Sequence, residues 1–220
     1  MKYEAVVFDL DGTLLDTLKD LNEACNYSLS KYGYNLITEE ETRLFIGNGI
    51  KKLIERALKN NLENFNEVFE AFKKYYNKNY NVYTKPYAGI IDIVKFLTEK
   101  KIKLAVFSNK DHIILNKLVE ETFPNVFKIV LGDGASFPRK PDPSGLIYIA
   151  KEFDIEMDEL LYIGDSDVDA MTIKNSGCLG ICVSYGFRKH EDLVNAGANV
   201  IVDSTDKLLE LLESNIWIQK

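Results

Sequence analysis

The sequence predicts an α/β fold, a doubly wound parallel sheet with an inserted all-helical domain. Short apolar runs recur along the chain, each stopping at Gly, Asp, Ser or Asn, and amphipathic helical patterns separate most of them. One long interval near the N-terminus holds helical patterns only. An apolar share of 46% against 28% charged residues belongs to a chain that can bury a core.

The predicted strands, in order, are Ala5–Phe8 and residues 104–107, 129–131, 160–163, 181–183 and 200–202. Helical patterns follow through Ile90, Ile91, Val94 and Leu97, then through Ile114, Leu115, Leu118 and Val119. A third runs through Leu146, Ile149, Ala150 and Phe153, and a fourth through Leu208, Leu209, Leu211 and Leu212. Alternating strand and helix predicts a parallel sheet with helices on both faces. The interval from 15 to 84 is too long for one crossover. It reads as helices only, with Leu14, Leu18, Leu21 and Cys25 on one stripe and Phe65, Val68, Phe69, Phe72 and Tyr76 on another. The expected organisation is a core of residues 1–14 and 85–220 carrying a helical domain of residues 15–84, with two adjacent linkers as a hinge and Pro86 and Gly89 marking the return.

Lys and Arg number 27 against 34 Asp and Glu, a net charge of −7 with no basic run, which argues against a nucleic-acid partner. Tyr75, Tyr76, Tyr80, Tyr83 and Tyr87 are expected to cover one side of a helix and its exit instead of forming a base-stacking platform. No apolar stretch approaches the ~20 residues that span a bilayer, so no membrane association is expected and the expected location is the cytoplasm. Cys25, Cys178 and Cys182 are expected to be buried thiols.

The chemistry gathers at strand ends. The first strand ends in Asp9-Leu10-Asp11-Gly12-Thr13, the second in Ser108-Asn109 and the fourth in Gly164-Asp165-Ser166-Asp167-Val168-Asp169, while Lys140 stands in Arg139-Lys140-Pro141 before a helix. Open parallel sheets bind ligands outside the carboxyl ends of their strands, so these segments converge on one edge. Carboxylates, a hydroxyl, an amide and one ammonium suit phosphoryl transfer. A phosphomonoester dianion repels a carboxylate nucleophile, so a divalent cation must join them and fixed donors must hold the equatorial oxygens. Asp11, Asp165 and Asp169 are hard oxygen ligands of the kind Mg2+ selects.

With these motifs in this order, the chain resembles the haloacid dehalogenase superfamily and, within it, the phosphoglycolate phosphatase-like group, whose helical cap sits where residues 15–84 fall. The resemblance implies an HAD-like Rossmannoid core. It implies that Asp9 attacks phosphorus to form an aspartyl-phosphate, and that Asp11 protonates the departing alkoxide and later deprotonates water. It also implies Mg2+ held by the Asp9 side chain, the Asp11 backbone carbonyl and Asp165, with Asp169 nearby or through water. Ser108 and Asn109 would hold phosphate oxygens, and Lys140 would bind phosphate close to Asp9. Four carboxylates against one lysine and one Mg2+ leave a site near −1, which makes metal a condition for binding a dianion. Ser108 stands where many relatives carry Thr, and Met171, Ile173 and Asn175 interrupt a helix that is Ala-rich in many of them.

In the cap, Gly47-Asn48-Gly49 opens a helical pattern and resembles a Gly-x-Gly loop that closes over substrate; a plain helix connection is the alternative. Arg43, Lys51, Lys52 and Arg56 stand near it, as candidates for a substrate carboxylate or as a solvated face. Asp111 reads as an N-cap and His112 as a first-turn residue. Ile216-Trp217-Ile218 is an apolar end that either packs on the core or meets a second subunit, so the chain is expected to be a monomer or homodimer. The function expected is hydrolysis of a small-molecule phosphate ester, 2-phosphoglycolate above others. The alternatives are a phosphosugar mutase, weakened by the lack of His in 15–84, a pyrophosphatase or nucleotidase on the same scaffold, and a non-enzymatic phospho-receiver.

Overall fold

β1 (Ala5–Phe8) is apolar on both faces, and the structure, a computed structural model describing residues 3–59 and 61–214, places it in the middle of the sheet. The other strands of this sheet are β4 (Lys103–Asp111), β5 (Ile129–Asp133), β6 (Leu160–Gly164), β7 (Leu179–Val183) and β8 (Ile201–Val202), in the spatial order β5-β4-β1-β6-β7-β8. All pairings are parallel, so every backbone donor of β1 finds a neighbour on one side or the other. β4 and β6 flank β1 from opposite directions in the chain, which makes the end of β1 a topological switch point where a crevice opens.

Strand alternation divides the core between two faces. Val6 and Phe8 pack with α5 (Ile90–Glu99), α6 (His112–Thr122) and α10 (Thr205–Ser214). Ala5 and Val7 pack with α7 (Ser144–Phe153). On that second side, α8 (Asp167–Ser176) and α9 (His190–Asn195) cover β7 through Ala170, Cys182 and Leu193. Burying such side chains at about 25 cal/mol per Å² is what holds both helical layers to the sheet.

Residues 18–79 carry four helices: α1 (Leu18–Lys31), α2 (Glu39–Phe45), α3 (Ile50–Ala57) and α4 (Phe65–Asn79). α1 and α4 pack against each other along the two stripes read from the sequence, Leu21 and Cys25 facing Val68, Phe72 and Tyr76. The interval is not helical throughout. Leu15–Asp16 (β2) and Lys85–Pro86 (β3) form a two-residue antiparallel ribbon where the chain leaves and re-enters the core, and Leu14 lies before α1. Two-residue strands carry too few positions to show a period of two, so a propensity reading passes over them.

The tyrosines of this region pack. Tyr75 stacks on Tyr27 with ring centroids 4.3 Å apart, Tyr76 is buried, and Tyr87 meets Tyr185 at 5.1 Å. Cys25, Cys178 and Cys182 are buried free thiols. Among the described residues no helix is long and apolar enough to cross a membrane. The apolar end at 216–218 lies outside the described residues.

Asp20, in the first turn of α1, is buried and ties the two crossings together. Its carboxylate accepts from the Tyr83 and Thr84 backbone N–H groups and from the Thr84 hydroxyl, at 2.7–3.1 Å. Replacing Asp20 by Ala strands those donors and is expected to cost about 2–3 kcal/mol. That corresponds to roughly 5–10 °C in the calorimetric Tm for a chain of this size, and an unchanged Tm refutes the assignment.

Candidate active site

Asp9 follows β1 directly and its backbone N–H donates to the Ile163 carbonyl of β6 at 2.9 Å, which fixes the residue at the switch point. Asp165 and Asp169 come from the end of β6 and the first turn of α8. Carboxylate oxygens of Asp9, Asp165 and Asp169 lie within 4.8 Å of one another, all three residues buried. α8 starts there because Ser166 caps it reciprocally: the Ser166 hydroxyl accepts from the Asp169 N–H, and Asp169 accepts from the Ser166 N–H.

Lys140 enters this acidic group as a buried ammonium. Its Nζ lies 3.0 Å from Asp9 Oδ1, 2.7 Å from Asp169 Oδ1 and 2.8 Å from the Tyr162 hydroxyl. Asn109 holds the Lys140 backbone from both sides, accepting from its N–H at 2.8 Å and donating to its carbonyl at 3.0 Å. The Asn109 amide also donates to the Gly47 carbonyl at 3.1 Å, so both of its N–H groups are spent. The Asn109 side chain thus positions Lys140 and the 47–49 loop and has no N–H left for a phosphate oxygen. Ser108 is buried beside it and lines the same cavity.

Asp169 is saturated. Oδ1 accepts from Lys140 and Tyr162, and Oδ2 from the Ser166 N–H and hydroxyl, so a direct bond to a cation would have to displace one of them. Asp165 accepts from the Phe187 N–H at 2.7 Å and, more weakly, from the Thr13 hydroxyl at 3.3 Å. Asp9 Oδ1 is different: it is buried, and although the Lys140 charge is close, no donor among the described residues is aligned with it. Crowding shows in the protonation behaviour. Burial, helped by the Asp169 and Asp11 charges and opposed by Lys140, pushes the Asp9 carboxyl up to about 6. Burial and the same neighbours, Asp169 and Asp9, push Asp165 well above the carboxylate range. Burial acts on Asp169 in the same direction, yet the Lys140 charge and three hydrogen bonds hold it below its usual value. Burial works against the Lys140 ammonium, but Asp169 and Asp9 raise it. An unpartnered buried oxygen among carboxylates that are costly to ionise together fits a hard divalent cation with oxygen ligands.

The Asp11 carboxyl lines the same cavity outside the three-carboxylate group. Its Oδ1 accepts from the Thr17 hydroxyl at 2.7 Å and from Lys110 Nζ at 2.8 Å. Lys110 is a buried ammonium that the sequence reading did not single out. It adds a second positive charge, so the balance expected near −1 with a divalent cation becomes neutral before substrate binds. Of the cap loop, Gly47 and Gly49 line the cavity, whereas Asn48 turns its side-chain oxygen to Arg56 at 2.7 Å and does not. Arg43, Lys52 and Arg56 are engaged with Glu40, Glu55 and the Phe45 carbonyl, and Lys51 sits by Phe69; none lines the cavity. His112 is the first residue of α6, with Asp111 as its cap, and its Nδ1 accepts from the Gly132 N–H.

The residues 6–183 match the haloacid dehalogenase-like hydrolase family model. The chain belongs to that family. It is 30% identical to the phosphoglycolate phosphatase of Nitrosospira multiformis, with 96% of each protein covered. It is 28% identical to the phosphoglycolate phosphatase of Vibrio parahaemolyticus over 94% of this chain and 95% of that one. A crystal structure from Lactobacillus delbrueckii subsp. bulgaricus, of a protein provisionally named phosphoglycolate phosphatase, superposes with a TM-score of 0.92 at 37% identity, covering 96% of this chain and 99% of that one.

Two glycines let the acidic segments of this family member close on each other. A Cβ on Gly12, which has φ +86°, would stand 2.2 Å from Asp165 Oδ2, and one on Gly186 would stand 2.2 Å from the Gly12 carbonyl oxygen and 2.6 Å from the Asp165 Cβ. Gly186→Ala must therefore displace backbone. The variant is expected to keep its far-UV circular dichroism while losing the thermal stabilisation by Mg2+ expected of the native chain; full retention of that stabilisation overturns this account.

Proposed function

We propose that this protein is a Mg2+-dependent phosphatase that hydrolyses a small-molecule phosphate monoester through an aspartyl-phosphate, with 2-phosphoglycolate as its substrate. The observation that carries the reading is the unpartnered Asp9 Oδ1, buried beside Lys140 and the other two carboxylates at the carboxyl ends of β1 and β6. Relatives named phosphoglycolate phosphatase, collinear over nearly the whole chain, support the choice of ester. The reading takes the protein as a cytoplasmic monomer or homodimer, with residues 15–84 as a cap over the site.

The Asp9 side chain, the Asp11 backbone carbonyl and Asp165 would hold Mg2+, which when bound neutralises the repulsion between a phosphate dianion and a carboxylate nucleophile. Asp169 reaches the cation through water at most and otherwise aims Lys140. In the first step an Asp9 carboxylate oxygen forms the new bond to phosphorus and the ester oxygen leaves. Asp11 gives that oxygen its proton. Because Thr17 and Lys110 occupy Oδ1, Oδ2 is the atom free to carry it. In the second step Asp11 takes a proton from water, the water oxygen attacks phosphorus, and Asp9 is released together with inorganic phosphate. Lys140 and the Ser108 hydroxyl donate to the phosphoryl oxygens throughout.

Three measurements test the reading. Phosphate release from 2-phosphoglycolate should vanish with a chelator and return with Mg2+. Asp9→Asn should lower kcat by at least ~1,000-fold, and acid quenching of the native enzyme should trap a phosphoryl group on Asp9; turnover that survives Asp9→Asn removes the mechanism. The third uses pH. The folded-state Asp9 carboxyl is raised to about 6, so ionising it destabilises the cation-free protein as pH climbs from ~4 through 6, and a bound cation relieves that cost. The gain in Tm on adding Mg2+ should thus be small at pH 5, where a proton must be displaced, and reach its full size above pH 7. A gain that is constant over this range contradicts the assignment of Asp9 as ligand.

A further inference from the structure

The wall of the cavity opposite the carboxylates comes from the cap and is almost wholly apolar: Leu21, Ile46, Ile50 and Leu53. One polar cap side chain breaks it. Tyr76, from α4, is buried, and its hydroxyl oxygen accepts from Lys110 Nζ at 2.7 Å, with the ammonium 5.0 Å from the ring centroid. Lys110 comes from the core, at the end of β4, and its second N–H goes to Asp11. Beside the Ser108 hydroxyl, assigned to the phosphoryl group, the hydrogen bonds among the described residues leave the third N–H of Lys110 and the hydroxyl proton of Tyr76 unspent on the side that faces Asp11. No lysine or arginine of residues 15–84 lines the cavity, and Arg188, which does line it, is committed to Asp167 and to the Arg43 and Ile46 carbonyls.

We propose that Lys110 and Tyr76 together form the anchor for the leaving group, selecting phosphate esters whose leaving group is short and carries an anionic oxygen group, a carboxylate, a bond or two from the ester oxygen. The inference rests on the phosphatase reading and adds to it the residues that choose the substrate. The placement follows from Asp11, the group that protonates the departing oxygen: an anchor that touches Asp11 Oδ1 lies on the leaving-group side of phosphorus and within one or two bonds of it. The cavity between the carboxylates and the apolar wall is small, about 50 Å³, which favours a short leaving group. A neutral leaving group would leave two buried donors unanswered, whereas a carboxylate accepts both. Because one half of the pair belongs to the core and the other to the cap, the anchor is complete only with the cap closed.

The test compares the native enzyme, Lys110→Met and Tyr76→Phe on 2-phosphoglycolate and on ethyl phosphate, which has a leaving group of the same length without the carboxylate. Lys110→Met should lower kcat/KM for 2-phosphoglycolate about 10- to 100-fold more than for ethyl phosphate, with KM carrying most of the difference. Tyr76→Phe, which removes one oxygen and keeps the ring, should give a differential of about 3- to 10-fold in the same direction. Equal losses on the two esters in both variants overturn the anchor and leave Lys110 as a partner of Asp11 only. Should Lys110→Met prove inactive on both, the Tyr76→Phe differential decides alone. Native enzyme that hydrolyses ethyl phosphate as well as 2-phosphoglycolate also overturns it. Native enzyme that releases phosphate from no ester sinks the phosphatase reading beneath it.

Discussion

The site depends on one buried ammonium. Without Lys140, Asp9 and Asp169 would be two carboxylates facing each other out of water, and a buried charge that loses its partner costs several kcal/mol. With it, Asp169 ionises readily and becomes a fixed acceptor, which in turn orders Tyr162, Ser166 and the first turn of α8. The position of Lys140 is itself imposed from the other side of β1, by the Asn109 amide on its backbone. A single charge thus couples the ends of β4, β6 and α8 around the end of β1.

The division of labour among the carboxylates follows from which lone pairs remain. Asp169 has none left, Asp165 is held by one backbone donor and one weak hydroxyl contact, Asp11 has one engaged oxygen and one free, and Asp9 has an oxygen that meets the Lys140 charge without an aligned hydrogen bond. Four residues of one chemical type at one edge would compete for the same role if they were equivalent. Their hydrogen-bond environments separate them, which is what the proposed roles of nucleophile, proton donor, cation ligand and lysine-positioning group require.

The sheet was legible because its strands are buried on both faces and read as uninterrupted apolar runs, and the cap helices because α1 and α4 keep their stripes over several turns. Asp9, Asp11, Ser108 and Asp165 were legible as candidates because each sits at or just past a strand end, and Lys140 because it stands beside Pro141 ahead of a helix. Lys110, Thr17 and Tyr162 were not. Lys110 directly follows Ser108-Asn109, but a lysine leaving a strand ordinarily faces solvent, and only the placement of α4 across the sheet edge buries it. Asn109 was legible as a site residue, but the use of its side-chain amide on the Lys140 backbone was not, since sequence order says nothing about that contact. Gly186 could have been found: a glycine one strand beyond the acidic motif is a signal for close backbone approach, yet its partner, the Gly12 carbonyl, lies at the other end of the chain.

Closure of the cap is built from bonds that are inexpensive to break. α2 ends at Phe45, and the last carbonyls of a helix have no partner within it. Arg188 supplies one, donating to the Arg43 carbonyl at 2.7 Å and to the Ile46 carbonyl at 2.7 Å while keeping Asp167 at 3.1 Å. A guanidinium at a helix C-terminus is also favoured by the helix dipole. In the proposed reading of residues 15–84 as a cap, its lifting would pass those carbonyls to water while Arg188 retained its carboxylate. The Lys110–Tyr76 contact behaves in the same way, since Lys110 keeps Asp11. In that reading each latch would exchange hydrogen bonds instead of losing them, and a ligand that answered the free Lys110 and Tyr76 donors would add the difference that favours closure.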